Sequence, residues 1–185
     1  LMDHRRNAPR QAGATLVEVL VAVLVLSFGM IALGGMMAFA VQMPKLSGYR
    51  ATAANLASSH IEKMRGNRLG FQAGEYATPS SYDGTFNPIA PQPCAFPHCT
   101  ASSLALMNDA ATKRAVRIEL PAGGVMTTCD PMPCTEDSMG NLWIMWNEPD
   151  TRSVLDPSSS DNCPAAVTAS FHDPRPRCLY ARFKP

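Results

Sequence analysis

Thirty residues from Ala14 to Met43, ATLVEVLVAVLVLSFGMIALGGMMAFAVQM, carry one charged side chain, Glu18, and nothing else in the sequence restricts the possible folds so severely. At a rise of about 1.5 Å per residue, a helix of that length exceeds the ~30 Å hydrocarbon core of a bilayer. Ahead of it, residues 1–13 (LMDHRRNAPRQAG) set Arg5, Arg6 and Arg10 against the single acid Asp3, the balance of a cytoplasmic flank. The acid inside the apolar run is the anomaly. A carboxylate in a spanning helix costs about 2.5–3.5 kcal/mol and marks function.

Three readings compete for this segment. An ordinary secretory signal would be cut after a small-x-small site such as Ala38-Phe39-Ala40, but its apolar core is about 7–15 residues long, much shorter than this run. A plain membrane anchor accounts for the length and leaves Glu18 unexplained. Cleavage between Gly13 and Ala14 accounts for both, because it creates a positive amino terminus four residues, one helical turn, before Glu18. In a low-dielectric bundle the amine and the carboxylate neutralise each other, and pairing between staggered neighbours would set their register. Cleavage also removes three Arg and one Asp, leaving 13 basic and 14 acidic side chains.

The string Gly13-Ala14-Thr15-Leu16-Val17-Glu18, followed by VLVAVLVLSFG, resembles the class III signal of type IV pilins and type II secretion pseudopilins. The resemblance implies that a prepilin peptidase cuts after Gly13, that the new N-terminus at Ala14 is methylated, and that Glu18 guides assembly. Ala14 stands where that family usually has Phe. The later string SGYRATAANLASSHIEKMRGNR, Ser47 to Arg68, is similar to the first helix of PilV-type minor pilins, the type IV pilus modification proteins. That resemblance covers residues 13–68. It implies an α+β, type IV pilin-like fold and a minor pilin that helps prime or cap the filament. Its partners would be the prepilin peptidase, the major pilin, other minor pilins and a tip adhesin. Before assembly such a subunit sits in the inner membrane as a single pass with a periplasmic head, and afterwards in the pilus at the cell surface. The minor pseudopilins of type II secretion share the signal, usually with a shorter head, and are the alternative.

The expected organisation is a leader over residues 1–13, a transmembrane and assembly helix over 14–43, an amphipathic half-helix over 44–67 and a globular head over 68–185. Gly29, Gly34 and Gly35 loosen the apolar helix and allow close approach of other helices. Pro44 should bend the helix where it leaves the lipid. Beyond it, Leu46, Tyr49, Ala53, Leu56, Ala57, Ile61 and Met64 recur at three- and four-residue spacing, and the stripe should dock on a sheet, with the helix stopping near Gly66 and Asn67. Leu69 to Ser102, with five prolines, reads as a long irregular loop. Ser103 to Leu120 reads as helix, although Ala115 to Leu120 alternates like a strand. Asn141 to Asn147 (NLWIMWN) is the best strand, and Trp143 and Trp146 must face opposite sides of it. Val125 to Thr128 and Cys178 to Phe183 are its expected companions in a small antiparallel sheet.

All six cysteines, Cys94, Cys99, Cys129, Cys134, Cys163 and Cys178, lie beyond residue 90, which puts the head in an oxidising space. About fifteen pairings are open to six cysteines, and nearest-neighbour bridges are the expectation. A zinc site at Cys94, His98 and Cys99 is the competing use.

Other function classes have little support. Sixteen basic against fifteen acidic residues, with no basic block, exclude a nucleic-acid footprint. No Gly-x-Ser-x-Gly, His-Glu-x-x-His or phosphate-loop motif is present, and His60, His98 and His172 share no spacing, so they read as surface or packing residues. Glu136-Asp137 reads as a solvated acidic pair. A membrane-anchored periplasmic enzyme is the weakest reading, and no cofactor or metal is expected.

Overall fold

The computed structural model describes residues 13, 15–148, 161–172 and 175–185. The chain divides between Lys45 and Leu46 into two units. The first contains the apolar start of helix α1 (Leu16–Gly66), and Pro44 lies within that helix. The second contains the rest of α1 and the head: α2 (Arg68–Gln72), α3 (Ala101–Glu119), β1 (Gly124–Asp130), β2 (Met139–Trp146), α4 (Ala165–Ser170) and β3 (Arg177–Phe183).

The head is α+β. Its three strands form one antiparallel sheet in the order β1-β2-β3, with Val125 opposite Ile144 and Ile144 opposite Leu179. That register assigns each side chain to a face. Val125, Cys129, Leu142, Ile144, Trp146 and Phe183 join Ala53, Ala57 and Met64 of α1, Phe71 of α2 and Ala105 and Val116 of α3 in the main core. On the opposite face Met126, Trp143, Met145 and Cys178 pack with Tyr82, Val167 and Phe171. The two tryptophans therefore part as strand alternation requires: Trp146 is fully buried, while Trp143 lies against Tyr180 and donates its indole N–H to the Asn162 carbonyl.

Local chemistry explains the element boundaries. Asn67 follows the last residue of α1 and caps α2, its side-chain oxygen accepting from the Gly70 amide at 3.3 Å. The stretch expected to be irregular from Leu69 thus begins as a short helix. Helix α3 starts two residues before the expected Ser103, because Thr100 and Ser103 form a reciprocal capping box, with bonds of 3.1 and 2.8 Å. It stays helical through the alternating stretch after Ala115, where Val116 and Arg117 both turn inward. α4 had no counterpart among the expected elements. It is short, and its one buried residue, Val167, gives little periodic signal.

One side chain makes several of the contacts that hold down the irregular segment between α2 and α3. The buried Arg117 guanidinium donates to the carbonyls of Gly123 (2.7 Å), Thr85 (2.8 Å), Asn87 (3.1 Å) and Ser81 (2.6 Å), and pairs with Asp83 at 2.9 Å. Its planar five-donor fork satisfies loop carbonyls that have no strand partner. A second arginine closes the other end of the sheet: Arg177 bonds Glu148 at 3.1 Å and Asp161 at 3.3 Å, while Glu148 accepts from the Trp146 indole at 3.3 Å.

The six cysteines form three bridges, Cys94–Cys99, Cys129–Cys134 and Cys163–Cys178. Because Cys94 and Cys99 are bonded to each other, their sulfurs are removed from the zinc alternative at Cys94, His98 and Cys99. The third bridge ties the segment leading into α4 to β3.

Candidate functional site

The residues singled out for processing and assembly lie at the start of α1. Ala14 falls outside the described residues. Gly13 is exposed, with open space around its α-carbon. Thr15 starts the helix: its hydroxyl accepts from the Glu18 amide at 3.3 Å and its carbonyl accepts from the Val19 amide at 3.2 Å. A threonine here satisfies amide donors that the first turn would otherwise leave open. Glu18 lies in that first turn, where the positive end of the helix dipole favours a carboxylate.

From Leu16 to Ala38, 23 residues are long and apolar enough to cross a membrane, and none is buried within the chain. At about 1.5 Å per residue that is about 34 Å of helix. Its large apolar side chains keep half or more of their area uncovered, from Leu24 at 50% to Leu16 at 80%. Leu16, Val19, Leu20, Val23 and Leu24, at three- and four-residue spacing, line one open apolar face of the helix. Covering a side chain of this size is worth about 1.5–3 kcal/mol, so the segment requires lipid or other helices around it. Gly29, Gly34 and Gly35 meet nothing within the chain, so no intrachain contact accounts for them.

The second half of α1 carries a different arrangement. Ala53, Ala57, His60, Met64 and Asn67 are buried in succession at three- and four-residue spacing. His60 is completely buried, the packing alternative of its two readings, and lies edge-on against Tyr76, with ring centroids 5.8 Å apart. Its Nε2 lies 4.0 Å from Asp109 Oδ1, too far for a hydrogen bond, and neither ring nitrogen has a partner among the described residues. The other Asp109 oxygen is held by Lys113 at 2.7 Å and by the Thr78 hydroxyl at 3.3 Å. The Tyr76 hydroxyl accepts from Asn108 at 3.2 Å and from Asn67 at 3.4 Å. Burial first, and then the positive charges of Lys63 and Lys113, lower the His60 pKa from 6.5 to about 3, so its ring is neutral at physiological pH. Sequence reasoning credited the apolar members of this seam, read His60 as a surface or packing residue and Asn67 as the helix stop, and did not place either in the buried row. The available signal was spacing, since His60 and Asn67 continue the rows of Ala53, Ala57 and Met64.

The prokaryotic N-terminal methylation motif, a type IV pilin-like prepilin signal, matches residues 8–34. The match covers Arg10, Gly13, Ala14, Glu18 and most of the membrane-length stretch. Comparison with curated proteins and with solved structures gives no match.

Proposed function

We propose that the chain is a minor pilin of the type IV pilus, of the PilV kind, and a structural subunit rather than an enzyme. Prepilin peptidase cuts between Gly13 and Ala14, the new N-terminus is methylated, and Glu18 pairs with a terminal amine as the subunit enters the filament. Before assembly the protein is a single-pass inner-membrane protein with its head in the periplasm, and afterwards it is part of the pilus at the cell surface. It acts with other minor pilins and the major pilin to prime or cap assembly, with a tip adhesin as a further partner.

One observation carries this reading: the N-terminal methylation motif lies across a lone carboxylate at the head of an apolar helix with no cover from its own chain. Two solvents suit such a helix, lipid before assembly and neighbouring helices after it. The resemblance of Ser47 to Arg68 to PilV-type minor pilins supports the finer assignment.

Expression in a pilus-forming host tests the proposal directly. Intact mass and N-terminal sequencing should give a mature chain beginning at methylated Ala14, and sheared pili should contain the head. A chain processed as described but absent from pili, and instead required for export of folded proteins, would assign it to the minor pseudopilins of type II secretion. A chain that keeps Arg5 and Arg6 in the presence of active peptidase would refute both.

A further inference from the structure

We propose that His60 makes the seam between the second half of α1 and α3 acid-sensitive, so that protonation of its ring opens this seam locally while the sheet remains folded. The inference is independent of the filament assignment, since it rests only on groups within the head.

Three elements converge on the imidazole. α1 contributes Lys63, whose ammonium donates to the Thr112 hydroxyl at 3.3 Å. The turn after α2 contributes Tyr76, edge-on to the ring, and Thr78. α3 contributes Asp109 and Lys113, paired at 2.7 Å. With a neutral His60, the charged groups around it are two ammoniums and one carboxylate already committed to one of them. A proton on the ring would make three cations against that single anion. Asp109 Oδ1 is the nearest acceptor, but at 4.0 Å it has to move to meet the ring inside a closed seam. A buried charge without a bonded partner is strongly disfavoured.

The sign of the effect follows from where the proton binds. The closed seam holds His60 neutral, whereas an opened seam exposes it to water and lets it titrate near 6.5, against about 3 when closed. Between those values the open form carries one proton more. Closure is therefore at full strength above pH ~6.5 and weakens by up to about tenfold per pH unit below it. Between pH 7 and pH 5 the opening equilibrium should rise by about 25-fold.

The test is hydrogen exchange on the full chain in detergent micelles at pH 7 and pH 5, corrected for the intrinsic pH dependence of amide exchange. Amides of residues 53–64 in α1 and 105–116 in α3 should lose about 25-fold in protection, with the β2 amides unchanged. His60→Phe keeps an aromatic ring against Tyr76 and cannot take a proton, so its protection should be the same at both values. Equal losses in the wild type and His60→Phe would overturn the proposal. Should that variant not fold, the wild-type imidazole resonances decide the matter: no titration of His60 in the closed protein from pH 7.5 to 5 supports it. A midpoint near 6.5 with the seam still protected overturns it.

Discussion

Glu18 and Arg117 have opposite roles at the level of single side chains. Glu18 is exposed in an apolar helix and its carboxylate has no hydrogen bond or ion pair among the described residues, so its value lies mainly in what it meets elsewhere. Glu18→Val should leave the protein inserted and cleaved but reduce its recovery in sheared pili, as quantitative immunoblotting would reveal. Arg117 is the reverse case, since its guanidinium bonds four loop carbonyls and Asp83. Arg117→Met should destabilise the head by about 3 kcal/mol, because the carbonyls lose a charged donor that nothing replaces. Both tryptophans lie in the head, so their fluorescence during denaturant unfolding reports that loss directly. Asp83 adds a dependence on acid: burial tends to raise its pKa, but bonds from the Thr85 amide and hydroxyl and from Arg117 outweigh burial and hold it below the usual carboxylate range. Its contribution is thus complete above about pH 4 and disappears in stronger acid as the carboxylate protonates. Asp83→Asn should remove that acid-dependent part of the unfolding curve.

Among the elements, those with a repeating apolar signal were legible in the sequence, and those fixed by single polar contacts were not. The stripe Ala53, Ala57, Met64 and the strand around Ile144 could be read because burial there follows a period of 3.6 or 2 in apolar residues alone. His60 and Asn67 share the same rows, but a polar residue reveals its burial only through partners far along the chain, such as Asn108 and Asp109. The start of α3 depended on a Thr-Ser reciprocal bond in place of the usual acidic partner, and α4 on packing against Tyr82 and Met145. Gly124 is a similar case. A β-carbon there would run into the Tyr82 backbone, so the loop lies directly against the first residue of β1. Gly124→Ala should cost about 1–3 kcal/mol by forcing that loop off the strand, measurable as a lower unfolding midpoint. Of the bridges, Cys163–Cys178 spans 15 residues and the other two span 5 each. Replacing the Cys163–Cys178 pair with serines should cost the most, about 2–4 kcal/mol, because the longer loop gains more freedom in the unfolded chain.

The whole molecule joins one segment that needs an apolar surrounding to one that needs water and an oxidant. The candidate site was legible where a charge interrupted an apolar run, because that pattern depends on local sequence alone. The occupants of the exposed helix are not written in this chain, which is why the pilus and secretion readings diverge only at the partners. Gly13→Val should yield a precursor that remains in the membrane fraction, still carries Arg5, Arg6 and Arg10 and is heavier than the mature chain, a difference that intact-mass measurement resolves.

The position of the cysteines relative to the membrane-length helix imposes an order on biogenesis. All three bridges lie C-terminal to that helix, so under the proposed inner-membrane topology translocation comes first and covalent closure second, since a thiol-reducing interior keeps the loops unlinked. A host with an insertion pathway but no oxidant beyond the bilayer would accumulate anchored chains with slack heads. Restoring the oxidant alone should tighten them.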